Sequence, residues 1–112
     1  MKAVFVELPA FIRYRNDYFD DESYRAFQNE LLRNPEKGDV IQGTGGLRKV
    51  RIADAKRNKG KRGGARVVYY WYVCRSQFLL FTVYGKDMQE DLSADERKLL
   101  AAMLKTLKEQ YL

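Results

Sequence analysis

The sequence predicts an α+β fold, a compact single domain over residues 1–112 with two N-terminal helices and one C-terminal helix on a mostly antiparallel four-stranded sheet. Three observations lead there. "ARVVYYWYV" (65–73) and "FLLFTVY" (78–84) are continuously apolar or aromatic and lie either side of the short turn Cys74 to Gln77, the pattern of an antiparallel hairpin covered on both faces. "SADE" (93–96) is a capping box, with Ser93 as N-cap and Glu96 reaching back to the cap amide, and it opens a run with helical spacing. No internal repeat or domain linker interrupts the order strand, helix, helix, strand, strand, strand, helix.

Taken in order, "KAVFVEL" (2–8) is rich in β-branched and aromatic residues and reads as the first strand. Pro9 opens a helix at its first position, carrying Phe11, Ile12 and Arg15. "DDESYRAFQNELLRNP" (20–35) is a second helix: Asp20 or Asp21 caps it and acids fill its first turn, where the macrodipole favours them. Tyr24, Phe27 and Leu31 fall on one face, and Asn34-Pro35 ends the run. A turn-rich stretch (36–46) leads to a strand near 47–53, followed by a glycine-lysine connector at roughly 54–64. The hairpin follows, and Leu99/Leu100, Met103/Leu104, Leu107 and Tyr111 mark the last helix.

Composition is that of a folded globular chain, with 46% hydrophobic and 32% charged residues, and Tyr and Phe supply most of the ring volume. One cysteine, Cys74, rules out an internal disulfide and any multi-cysteine zinc site. The absence of histidine removes most transition-metal motifs together with Ser-His and Cys-His catalysis. "GTGG" and "GKRGG" do not fit GxxxxGK[ST], so nucleotide hydrolysis is disfavoured. No cofactor is expected. The start "MKAVFVELPAFIRYR" lacks a signal-peptide core, and no run approaches the roughly 20 apolar residues that cross a bilayer, so a cytoplasmic protein without a membrane partner is expected.

The net charge of +6 is concentrated in one segment. Between 48 and 66, Arg48, Lys49, Arg51, Lys56, Arg57, Lys59, Lys61, Arg62 and Arg66 face only Asp54, a local balance of +8. The rest of the chain, with 12 basic and 14 acidic residues, stands at −2. Such concentration points to a polyanionic partner. In "RKVRI", alternation sends Val50 and Ile52 to one face and Lys49 and Arg51 to the other. Neighbouring cations repel unless an anion compensates them, and phosphate suits that role, although a solvated strand face gives the same alternation. The connector supplies salt-dependent attraction to a nucleic-acid backbone. Arg66 opens the next strand, and "YGK" (84–86) brings Tyr84 and Lys86 toward the same region. The rings at 69–72 are expected to be mostly core.

"GDVIQGTGGLRKVRIA", "GKRGGARVVYYWY" and "LLFTVYGKDMQEDLSADERKLL", in that order, resemble the HigB branch of the RelE/ParE toxin superfamily over nearly the whole chain. The resemblance implies a RelE-like fold and a type II toxin that cleaves messenger RNA in the ribosomal A site. It also implies silencing by a cognate HigA-like helix-turn-helix antitoxin, with the toxin alone a monomer. By motif it assigns Lys49, Arg51, Arg66 and Lys86 to the scissile phosphate. Tyr84 is a further candidate by its chemistry, although it equally suits the core, and the density of charge assigns Arg48, Lys56, Arg57, Lys59, Lys61 and Arg62 to the RNA or ribosome backbone. Where such toxins often carry a further arginine this chain has Asp87, and Ser93 stands near the place of a late tyrosine. RNA brings its own nucleophile, the 2′-hydroxyl, so such a site works by alignment and charge stabilisation without metal. A ParE-like gyrase poison and a non-catalytic RNA-binding domain are the rival readings.

Overall fold

The computed structural model describes residues 2–54, 64–86, 88–89 and 91–110. Its elements are β1 (Val4–Glu7), α1 (Pro9–Tyr18), α2 (Asp21–Arg33), β2 (Asp39–Val40), β3 (Arg48–Ile52), β4 (Ala65–Tyr72), β5 (Gln77–Gly85) and α3 (Ala94–Glu109). The sheet has five strands in the order β1-β5-β4-β3-β2, antiparallel except for the parallel pair β1–β5. The α+β class and the three helices stand, while the strand count rises from four to five. The added strand is β2, a two-residue pairing of Asp39 with Lys49 and Val40 with Arg48, within the stretch that sequence reads as turns.

Local chemistry explains the helix boundaries. Pro9 sits at the start of α1, where its missing N–H costs no hydrogen bond, and Phe11 and Tyr18 are buried while Ile12 is exposed. Asp20 caps α2 reciprocally: its carboxylate accepts from the Ser23 amide at 2.7 Å, and the Ser23 hydroxyl accepts from the Asp20 amide at 3.0 Å. Ser93 and Glu96 form the expected capping box on α3, with bonds of 3.1 and 2.9 Å.

Two apolar layers sandwich the sheet. On the side of α1 and α2, Phe11, Phe19, Tyr24, Phe27 and Leu31 pack with Val50, Val67, Tyr69, Phe78 and Leu80. Phe19 lies at the centre of this ring cluster, 5.3 Å from both Tyr24 and Phe27 between centroids. On the α3 side, Leu100 and Leu104 cover Leu47, Val68, Leu79 and Phe81. The central strands β4 and β5 are therefore covered on both faces, which is why they read as unbroken apolar runs. Leu99, although apolar, points outward.

Two backbone features set the register and spacing of the inner strands. β4 pairs with β5 as Tyr69↔Leu80 and then Val68↔Thr82, so Phe81 is an extra residue, a β-bulge. Gly38 lies where any side chain would collide: a Cβ there would be 2.9 Å from the Tyr69 ring and 3.0 Å from the Lys49 carbonyl. Its amide donates to the Tyr69 hydroxyl at 3.0 Å, and that hydroxyl donates to the Pro35 carbonyl at 2.8 Å.

Candidate active site

The ladder between β3, β4 and β5 brings distant residues into one row. Arg51 pairs with Arg66, and Arg66 pairs with Tyr84, so the three side chains lie side by side on the α3 face of the sheet. Lys49, two residues before Arg51 and opposite Val68, shares that face. The Lys86 amide donates to the Gly64 carbonyl at 3.0 Å, which holds Lys86 next to the end of the ladder, in the turn that follows β5. The row sits just beyond the N-terminal end of α3, next to the segment that leads into the helix.

Burial separates the members. Arg66 is only 4% exposed, and one of its guanidinium nitrogens donates to the Ala65 carbonyl at 3.1 Å. Arg51 is exposed, while Lys49 and Lys86 are half-buried. Tyr84 is buried, and its hydroxyl has no hydrogen-bond partner among the described residues. An orphaned buried hydroxyl costs on the order of 1–3 kcal/mol, so the Tyr84 hydroxyl has hydrogen-bonding capacity left for a further group. Burial, reinforced by the nearby Asp91 charge and opposed by Arg66, pushes the Tyr84 hydroxyl up to about 12. At neutral pH it is a donor.

Sequence reasoning missed three members. Asp91 accepts from the Lys49 ammonium at 3.1 Å and lies 3.5 Å from an Arg97 nitrogen, bridging the two cations. Burial pulls its carboxyl upward, but the Leu92 amide, Lys49 and Arg97 together outweigh burial and hold it below the usual carboxylate range. Glu96 accepts from the Ser93 amide and from the Gln89 side-chain amide at 3.1 Å, bonds that lower its pKa despite partial burial. A signal for Arg97 did exist: it is a cation in the first turn of a helix, where the macrodipole disfavours positive charge. Such a residue is placed for contacts elsewhere.

The wider set of basic residues divides. Arg48 faces away from Lys49 and Arg51, on the α1/α2 side of β3, and its guanidinium donates to the Gly38 carbonyl at 2.7 Å and the Glu36 carbonyl at 3.1 Å. It ties the 36–38 turn to the sheet and does not join the row. Lys56, Arg57, Lys59, Lys61 and Arg62, assigned from sequence to the RNA or ribosome backbone, lie outside the described residues. Among the described residues no group of acids and cysteine could hold a metal ion, and no helix is long and apolar enough to cross a membrane.

The chain matches no protein-family model. Among solved structures it is similar to an arginine-substituted double mutant of the Escherichia coli toxin RelE in its free state, at 15% identity and a TM-score of 0.53, over 80% of this chain and 90% of that one. Identity this low speaks for the backbone alone. The row of cations and tyrosine is thus carried on a RelE-like fold.

Proposed function

We propose that this chain is the toxin of a toxin–antitoxin pair and acts as a metal-independent endoribonuclease that cuts messenger RNA on the ribosome, arresting translation. The observation that carries the reading is the buried Arg66 in register between Arg51 and the Tyr84 hydroxyl, which has no partner among the described residues, on a face shared with Lys49. The three HigB-type motifs and the RelE-like backbone support it. Asp91 supports it as well, because a carboxylate held between Lys49 and Arg97 occupies the kind of position a phosphate oxygen would take.

In this mechanism the Arg66 guanidinium donates to a nonbridging phosphate oxygen, and its burial and its bond to the Ala65 carbonyl keep it oriented before substrate arrives. Arg51 and Lys86 add positive potential, and Lys49 exchanges Asp91 for the phosphate. The RNA 2′-hydroxyl attacks the phosphorus, the bond to the 5′ oxygen breaks, and a 2′,3′-cyclic phosphate and a 5′-hydroxyl result. Tyr84, protonated throughout the physiological range, donates to the charge that develops during the step. A HigA-like helix-turn-helix antitoxin with an acidic or apolar segment over this face would silence it, and the free toxin is a monomer of the cytoplasm.

Induction of the wild-type chain and of Arg66→Ala at matched expression, with mapping of transcript ends, tests the assignment. The expected result is codon-positioned cuts with growth arrest for the wild type and neither for the variant. Full toxicity of Arg66→Ala would remove Arg66 from the site. DNA breaks with intact transcripts would favour gyrase poisoning, and RNA binding without cut ends a non-catalytic domain.

A further inference from the structure

β1 ends at Glu7 and pairs with β5 only through Leu80, so the later part of β5 has no strand on that side. A cleft of about 270 Å³ opens there. Tyr14 and Tyr18 of α1 form one wall, Glu96 of α3 with Gln89 the other, and Thr82 and Tyr84 the floor. Its size lies just below the roughly 300–1,000 Å³ of sites for drug-sized ligands, which suits a single flat ring system.

The charge pattern around the cleft is asymmetric. Among the described residues, its lining contains one charged side chain, Glu96, and no cation. The cations Arg66, Arg51 and Lys49 lie beyond Tyr84, which belongs to both places: it lines the cleft and pairs with Arg66 in the ladder. A nucleotide has the same polarity, an anionic phosphate with an uncharged planar base one sugar away. The carboxylate repels phosphate, so the cleft receives the base and leaves the backbone to the cations.

We infer that this cleft is a nucleobase pocket adjoining the scissile phosphate, selecting a base that carries an exocyclic amino group over uracil. The inference rests on the ribonuclease reading. Selection follows from the hydrogen-bond inventory. One Glu96 oxygen is occupied by the Ser93 amide and the Gln89 amide nitrogen, while its second oxygen and the Gln89 carbonyl oxygen have no partner among the described residues. Acceptors without donors match the amino groups of guanine, adenine or cytosine and oppose the two carbonyls of uracil. Tyr14, at the surface of α1 with the Arg13 guanidinium 5.4 Å from its ring centroid, offers a ring for stacking.

Sequencing of 5′-hydroxyl RNA ends after induction of the full chain tests this. For the wild type, one position flanking the cut should be depleted of uracil by about fivefold or more relative to transcript composition. Glu96→Gln keeps the capping box and adds a donor, so the depletion should shrink to within about twofold. Tyr14→Ala should reduce cutting at all sites with its base preference unchanged. Uracil accepted equally at every flanking position by the wild type, or an identical spectrum from Glu96→Gln, overturns the pocket while the ribonuclease stands. No cut ends from the wild type overturns the ribonuclease reading instead. Unchanged spectra with weaker antitoxin binding by Tyr14→Ala would assign the cleft to a protein and also overturn the inference. If Glu96→Gln melts early, Gln89→Leu reads the same preference.

Discussion

Replacing Asp91 by Asn tests whether the Lys49–Asp91 contact stands in for substrate. The change removes one negative charge from between Lys49 and Arg97 and leaves an oxygen able to accept from the Leu92 amide. Asp91 is 47% exposed and Lys49 29%, so solvent screens the pair and its loss should cost only about 0.5 kcal/mol. That corresponds to a melting point lower by about 2–4 °C. The effect on binding should have the opposite sign, because Lys49 no longer exchanges a carboxylate for a phosphate. For single-stranded RNA each neutralised phosphate contributes a slope of about −0.7 in log K against log salt. One additional contact should steepen the slope by about that amount and raise affinity about fivefold at 0.1 M salt. Fluorescence anisotropy with a short labelled RNA at several salt concentrations measures both quantities. An unchanged slope, or weaker binding by Asp91→Asn, would refute the idea that Asp91 occupies a phosphate position.

Tyr84→Phe gives a second, pH-dependent test. Because folding raises the Tyr84 hydroxyl above its ordinary value near 10, the stability linked to its proton is fully present below pH 10 and is lost as pH rises toward about 12. The wild type should lose on the order of 2–3 kcal/mol over that window relative to Tyr84→Phe, read as the difference between their alkaline denaturation curves. Parallel curves would contradict the burial assigned to this hydroxyl. Gly38→Ala should destabilise by about 1–3 kcal/mol, since the new methyl meets the Tyr69 ring and the Lys49 carbonyl. A denaturant midpoint within error of the wild type would refute that packing.

Features legible in the sequence were those decided within a few residues. Asp20 and Ser93 announced their helices because a cap is local chemistry, and alternation in "RKVRI" correctly separated Lys49 and Arg51 from Val50 and Ile52. The same alternation also puts Arg48 with Val50, on the face of β3 away from Lys49 and Arg51. The Lys49–Asp91 bridge spans 42 residues and depends on where α3 begins relative to β3, which no local pattern encodes. β2 escaped because two residues are too few to show a period. The cleft alongside β5 was equally hidden, as it arises from β1 stopping at Glu7 while its parallel partner continues.

The bulge at Phe81 gives β5 two independent reading frames. Before it, odd-numbered Leu79 and Phe81 serve the layer under α3; after it, even-numbered Thr82 and Tyr84 do. Excising Phe81 would restore a regular ladder, with Thr82 following Leu80 opposite Val68 and Tyr84 still facing Arg66 on the α3 side. The bulge therefore lets the hydrophobic half of the strand change by one residue in length, as well as in sequence, without turning the chemical half over.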